Sequence, residues 1–256
     1  MSAVTLDLWH TLMYLPPEDE EAYMTHQLTM GREVLTAAPP LPGAAERTPD
    51  ELGRAFERAY TWAVEESSHG RTVTPAEQLR RAAQETGRAA DPQAYLDKLR
   101  AEVARTPFRR APGAIELLEG LRQDGYRVAV ISNTVGEPGA FLRPVLSSMG
   151  FDRYVETFVF SDEEPWCKPS PEIFYLALRR LGTQPDDAVH VGDSWSDLEG
   201  PRRAGYRAAI LFTGLHAYGE RYRELFLPKT PDEPSARFQA DRLVKVEPMI
   251  RELLPP

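Results

Sequence analysis

The sequence predicts an α/β fold: a three-layer, Rossmann-like core built on a parallel sheet, with an all-helical unit inserted into it. Three observations carry that reading. From Pro112 onward, short β-prone runs alternate with amphipathic segments, the rhythm of strands joined by crossover helices. One strand-like run, AVTLDL at 3–8, stands far ahead of that rhythm. Between them, from about Pro16 to Thr106, the chain shows helical periodicity and no clear strand. The division that follows is a core of residues 1–15 and 108–256 and a helical unit of residues 16–107.

Within the helical unit, segments 20–36, 49–67, 75–86 and 92–105 carry the helical period, and proline or acidic residues open each one. PPLPGAAERTPD, between the first two, is rich in turn formers. In the core, helix 114–124 stops at Gly125 and YRVAVIS (126–132) reads as a buried strand. Helix 141–149 precedes the strand TFVFS (157–161), and helix 171–181, ended by Gly182, precedes AVHVGD (188–193). Helix 198–204 then leads to RAAILF (207–212). Residues 214–236 read as loop, and 237–254 as one edge strand and a last helix.

Composition narrows the function. A net charge of −9 argues against nucleic acid or an anionic membrane as the main partner. Cys167 is the sole cysteine, which excludes an internal disulfide and fits a reducing compartment. No apolar stretch is long enough to span a bilayer, and the N-terminus lacks the features of a signal peptide, so a cytoplasmic location is expected. Nothing in the sequence marks an oligomeric state. Lysine is scarce, confined to Lys98, Lys168, Lys229 and Lys245, so a lysine here is not a routine choice.

Four predicted strand ends finish in polar residues: Asp7; Ser132-Asn133-Thr134; Asp162, with Lys168 shortly after; and Asp193. Singly, each has an ordinary structural use, since Asp, Ser and Asn cap helices and make turns. A parallel sheet would bring all four to one edge, where such folds bind ligands.

In order and spacing these segments resemble the four motifs of the haloacid dehalogenase-like hydrolases, over residues 1–15 and about 108–212. TLDLWHTL resembles the first motif, VISNT the second, CKPSPEIF the third and VGDSWSDLEGPRRAG the fourth. The helical unit resembles that family's cap domain, which closes over the site. The resemblance implies Asp7 as a nucleophile that forms an aspartyl-phosphate. Ser132 would bind a phosphoryl oxygen, helped by the backbone N–H groups of Asn133 and Thr134, and Lys168 would neutralise charge. It further implies Mg²⁺ held by Asp7, Asp193 and the backbone carbonyl of Trp9, an oxygen donor set that magnesium favours. Asp197 would bind through a water or orient the shell.

The implied reaction is Mg²⁺-dependent hydrolysis of a small phosphorylated molecule. Two alternatives stay open: a metal-independent 2-haloacid dehalogenase, and a weakly active phosphate- or metabolite-binding protein. Three carboxylates facing one lysine repel one another unless a cation joins them, which favours the phosphatase. The pattern is broken at Trp9, where the family's phosphatases usually carry a second aspartate as acid and base. Such help is typically worth roughly 10²–10⁴ in rate. His10, nearest in sequence, is a possible substitute. Arg109 and Arg110 sit where the helical unit rejoins the core, within possible reach of an anion. Tyr60, Trp62 and Tyr95 read as core residues of the helical unit, with lining a pocket as the alternative, and Trp195 as a residue packed on the catalytic loops or helping an interface. Cys167 has no histidine constellation that would make it a nucleophile, and His26 and His69 suggest no metal site.

Overall fold

The computed structural model describes residues 1–215 and 237–255. Strands β1 (Ala3–Leu6), β4 (Arg127–Ser132), β5 (Thr157–Phe160), β6 (Ala188–Gly192), β7 (Ala208–Phe212) and β8 (Phe238–Ala240) form one sheet in the order β5-β4-β1-β6-β7-β8. Every pairing in it is parallel, with Leu6 opposite Val130 on one side and Val191 on the other. After β1 the chain winds first toward β4 and β5 and later toward β6, β7 and β8. The crevice where winding reverses therefore lies at the carboxyl end of β1.

Alternation along the strands builds the two outer layers. Val4, Leu6, Val128, Val130, Val189 and Val191 face α5 (Ala114–Gln123), α6 (Gly139–Ser148) and α9 (Val246–Leu253). The intervening Ala3, Ala129, Ile131 and Ala188 face α7 (Pro171–Leu181) and α8 (Trp195–Ala204). Each valine, leucine or isoleucine among them contributes roughly 1.5–3 kcal/mol when fully buried, so the period-two pattern is what holds the layers together.

The inserted helices are α1 (Pro17–Ala37), α2 (Pro49–Ser68), α3 (Pro75–Thr86) and α4 (Pro92–Arg105). All four carry proline in the first turn, and Thr48 and Thr74 close capping boxes with Glu51 and Glu77. Their own apolar core includes Leu35, Leu52, Phe56, Leu79 and Leu99, with Tyr95 edge-on to Phe56 at 5.0 Å.

Local differences from the sequence expectations have physical causes. The first strand ends at Leu6, because the chain turns back: the Leu12 and Met13 N–H groups both donate to the Leu8 carbonyl, and His10 adopts φ 56°. The turn feeds β2 (Met13–Tyr14), which pairs antiparallel with β3 (Arg109–Arg110) where the chain leaves and rejoins the core. Two-residue strands have too few residues to show a period, so neither is legible in sequence. The α8 helix starts at Trp195, not Leu198, because the Ser194 N–H and hydroxyl both donate to Asp197 Oδ2 and start it a turn early. The expected loop at 214–236 lies outside the described residues from 216 on. No described helix is long and apolar enough to cross a membrane.

Candidate active site

Asp7 follows β1 directly and sits at the switch point, 5% exposed. Lys168 Nζ, on the loop before α7, donates to Asp7 Oδ1 and, at 2.6 Å, to Asp197 Oδ1. Carboxylate oxygens of Asp7, Asp193 and Asp197 lie within 4.8 Å of one another. Segments up to 190 residues apart thus meet only through the sheet, which sets β1 between β4 and β6.

Burial dominates the electrostatics. It pushes the Asp7 carboxyl up to about 6, against the pull of the Lys168 ammonium. Burial would also raise Asp197, but Lys168 and His190 outweigh it and hold that carboxyl well below the usual range. Lys168 would be lowered by burial alone, yet Asp197 and Asp7 raise it above the ordinary lysine value. The lysine is therefore a fixed ammonium, and the nucleophile candidate is the more basic of its two carboxylates.

Asp197 is fully engaged. Besides Lys168, Oδ1 faces His190 Nε2 at 3.0 Å, and Oδ2 takes the Ser194 hydroxyl at 2.5 Å. His190, on β6 and fully buried, has its Nδ1 2.7 Å from Thr5 Oγ1. Burial lowers its pKa, so the ring is neutral; an Nε2–H toward the carboxylate leaves Nδ1 to accept from Thr5. A buried chain Thr5–His190–Asp197–Lys168–Asp7 results. Sequence reasoning missed His190, whose only signal is a histidine inside a buried strand. Gly192 makes room for the arrangement, because a Cβ there would lie 2.3 Å from Asp197 Cγ.

The serine–asparagine–threonine stretch divides its labour. Ser132 Oγ is buried with no hydrogen-bond partner among the described residues, an orphan donor suited to an anionic oxygen. Asn133 clamps Lys168: its Oδ1 accepts from the Lys168 N–H at 2.8 Å, and its Nδ2 donates to the Lys168 carbonyl at 2.9 Å. Thr134 corrects the expectation that its N–H faces a phosphoryl group. That N–H donates to Ser161 Oγ at 2.9 Å, and its hydroxyl donates to Asp162 at 2.6 Å. Asp162, taking the Gly139 N–H as well, anchors a loop.

A cavity of about 530 Å³ opens on Asp7, Lys168 and Asp193, walled by α1, α2, the 133–137 loop and the start of α8. Trp9 lines it, edge-on to Phe108 at 5.4 Å. Tyr60 and Trp195 line it too, whereas Tyr95 is core and Trp62 bonds Glu66. Among the described lining residues His10, Arg109 and Arg110 are absent. His10 Nε2 lies 2.9 Å from Glu20 Oε1, and the two arginines are exposed. Burial pushes the Cys167 thiol up to about 11, so it is no nucleophile at neutral pH.

Glu137, on the cavity wall, accepts from Gln27 Nε2 at 2.6 Å, and burial pushes it up to about 7 from the ordinary 4.5. Between those two values the folded chain holds a proton that the unfolded chain has released, so stability falls as pH rises through the window. With Glu137 only partly buried, that loss is roughly 1–3 kcal/mol. Glu137→Gln is expected to flatten it, seen as a smaller difference between urea unfolding curves at pH 5 and pH 7.5.

A parallel α/β sheet with a buried carboxylate–ammonium centre at its switch point has the architecture of an enzyme core that binds ligand at strand ends. A profile of haloacid dehalogenase-like hydrolases matches residues 1–205, and the chain belongs to that family. It is 28% identical to the phosphoglycolate phosphatase of Salmonella typhi over 186 residues, covering 69% of this chain and 67% of that one. It is 34% identical to phosphoglycolate phosphatase 1 of Pseudomonas aeruginosa over 105 residues, 41% of this chain and 38% of the relative. The crystal structure of a HAD phosphatase from Thermococcus onnurineus shares the fold at TM-score 0.63 and 20% identity, covering 98% of both chains.

Proposed function

We propose that this chain is a Mg²⁺-dependent phosphatase, cytoplasmic, acting on a small phosphorylated molecule through an aspartyl-phosphate on Asp7. The observation that carries the reading is the Lys168 ammonium, lining the cavity and bonded at once to Asp7 and Asp197. In this reading the inserted helices act as the cap, residues 16–107, over a core of 1–15 and 108–256.

An Asp7 oxygen forms a bond to phosphorus while the bond from phosphorus to the ester oxygen breaks. The leaving alkoxide takes a proton from water. A water then cleaves the aspartyl-phosphate, releasing phosphate and restoring Asp7. Lys168 spreads positive charge over Asp7 and the phosphoryl group, and the Ser132 hydroxyl donates to a phosphoryl oxygen. Asn133 keeps Lys168 in place, and Asp197 and His190 position it from behind.

The donor set fits a hard cation: two buried carboxylates, Asp7 and Asp193, with the Trp9 backbone carbonyl, would hold Mg²⁺. When bound, it supplies charge neutralisation for the phosphoryl group. Asp197, its oxygens engaged by Lys168, His190 and Ser194, orients this shell without needing a direct bond.

Trp9 cannot transfer a proton, so substrates with good leaving groups are turned over best. Hydrolysis of p-nitrophenyl phosphate with Mg²⁺ and its loss with EDTA test the reading. Trp9→Asp is expected to raise kcat on an alkyl phosphate by about 10²–10⁴ and to change kcat on p-nitrophenyl phosphate far less. Equal gains on both would show that Trp9 acts by blocking access. Metal-independent halide release from a 2-haloacid, without phosphatase activity, would favour the dehalogenase instead. The relatives' names place 2-phosphoglycolate on the substrate panel.

A further inference from the structure

The cavity wall beyond the phosphoryl end has a chemistry of its own. Four aromatic residues, Trp9, Tyr23, Tyr60 and Trp195, share it with three carboxylates, Glu20, Glu65 and Glu137. Lys168 is the only lysine or arginine among the described lining residues, and it is committed to Asp7 and Asp197. The ring of Tyr23 is packed edge-on against Phe108, 7% exposed, and its hydroxyl lies against Gln27 and Glu137. Glu137 faces Gln27, and Glu20 faces His10.

The sign of charge a ligand could bring here follows directly. A leaving group bearing a carboxylate would approach three carboxylates with no described cation to offset them, and like charges in a partly buried site repel strongly. An ammonium finds the opposite: aromatic rings, one of which, Trp195, already has the Arg203 guanidinium 5.9 Å from its centre, and carboxylates that pair with cations. Glu137, held near half-protonation by burial, gives up its proton readily when such a charge arrives.

Resting on the phosphatase reading above, we propose that the cavity selects the phosphate monoester of an amino alcohol, an alkyl ester that Trp9 leaves slow to turn over, by holding its protonated or quaternary amine with Glu20, Glu65, Glu137 and the surrounding rings. The bond made to Asp7 and the bond broken are those already described; the amine takes no part in the transfer. This assigns Glu65 and Glu137 as specificity-determining residues and sets this chain apart from phosphatases of anionic phosphoglycolate.

The test is competition against p-nitrophenyl phosphate hydrolysis at low salt with Mg²⁺, which reads affinity even for esters that turn over slowly. Phosphoethanolamine and phosphocholine are expected to inhibit at least about tenfold more tightly than 2-phosphoglycolate. Glu65→Gln with Glu137→Gln is expected to cut that ratio at least about threefold, because each removes a carboxylate facing the amine. Phosphoglycolate binding as tightly as the amine esters, or a ratio unmoved by the paired variants, overturns the inference while the phosphatase reading stands. No hydrolysis of p-nitrophenyl phosphate by wild type or by Trp9→Asp overturns both.

Discussion

Asp7→Asn is expected to abolish phosphatase turnover, by about 10⁴-fold or more, because it removes the attacking oxygen while keeping the shape of the side chain. The substitution is unusually clean. Asparagine still offers Lys168 a carbonyl oxygen to bond, and the removed carboxylate is the one that burial has already raised to about 6. The variant is therefore expected to fold, with a circular dichroism spectrum and unfolding midpoint close to wild type. Folded protein without turnover assigns the chemistry to Asp7. Turnover that persists within tenfold of wild type would remove Asp7 as nucleophile and leave Ser132 or a water to be examined.

Lys168→Ala is expected to damage stability as well as activity. Its ammonium is 2% exposed and is the charge facing both Asp7 and Asp197. Taking one partner from a buried ion pair leaves the other charge uncompensated, at a cost of about 3–5 kcal/mol. In a chain of this size that lowers the thermal midpoint by roughly 6–20 °C. The sign of the pH dependence distinguishes this from general loosening. Asp197 is held low in the folded protein chiefly by Lys168, against burial, so the pair stabilises at neutral pH and that contribution is lost as pH falls through the acid range. The destabilisation by Lys168→Ala should therefore shrink on acidification, when Asp7 and then Asp197 take up protons. Urea unfolding of both proteins from pH 7.5 to pH 2.5 reads it directly, because a carboxylate held low loses its contribution only below the ordinary 3.8. A deficit constant across that range would mean that the lysine stabilises by packing its stem.

The two variants also separate roles that sequence alone merges. Asp7, Lys168 and Asp197 occupy motif positions of equal standing in the sequence, yet the structure treats them differently. Asp7 is left basic enough to share a proton near pH 6, whereas Asp197 is saturated with donors. The difference comes from their neighbours: β1 offers Asp7 a cavity in front, and β6 offers Asp197 a histidine behind.

What the sequence by itself determined is what short-range physics governs. Short, nearly continuous apolar runs marked the buried strands β4 and β6, the glycines at 125 and 182 ended their helices, and proline at the first turn opened α2, α3, α4 and α7 where the structure has them. Residues at the strand ends named Asp7, Ser132, Lys168 and Asp193 before any geometry was known, because a parallel sheet delivers its carboxyl ends to one edge. Only the tertiary structure decided who bonds to whom. Asn133 clamps Lys168 from 35 residues away, and His190 reaches Thr5 across 185. Thr134 turns to Asp162, and the acidic, aromatic wall of the cavity forms from α1, α2, α8 and the loops that carry Trp9 and Glu137. Each is a choice of partner made at hydrogen-bond range, set by strand order and packing between distant segments. Residue type and spacing carry the period of a helix or strand, but they do not carry the direction in which a buried side chain finds its partner.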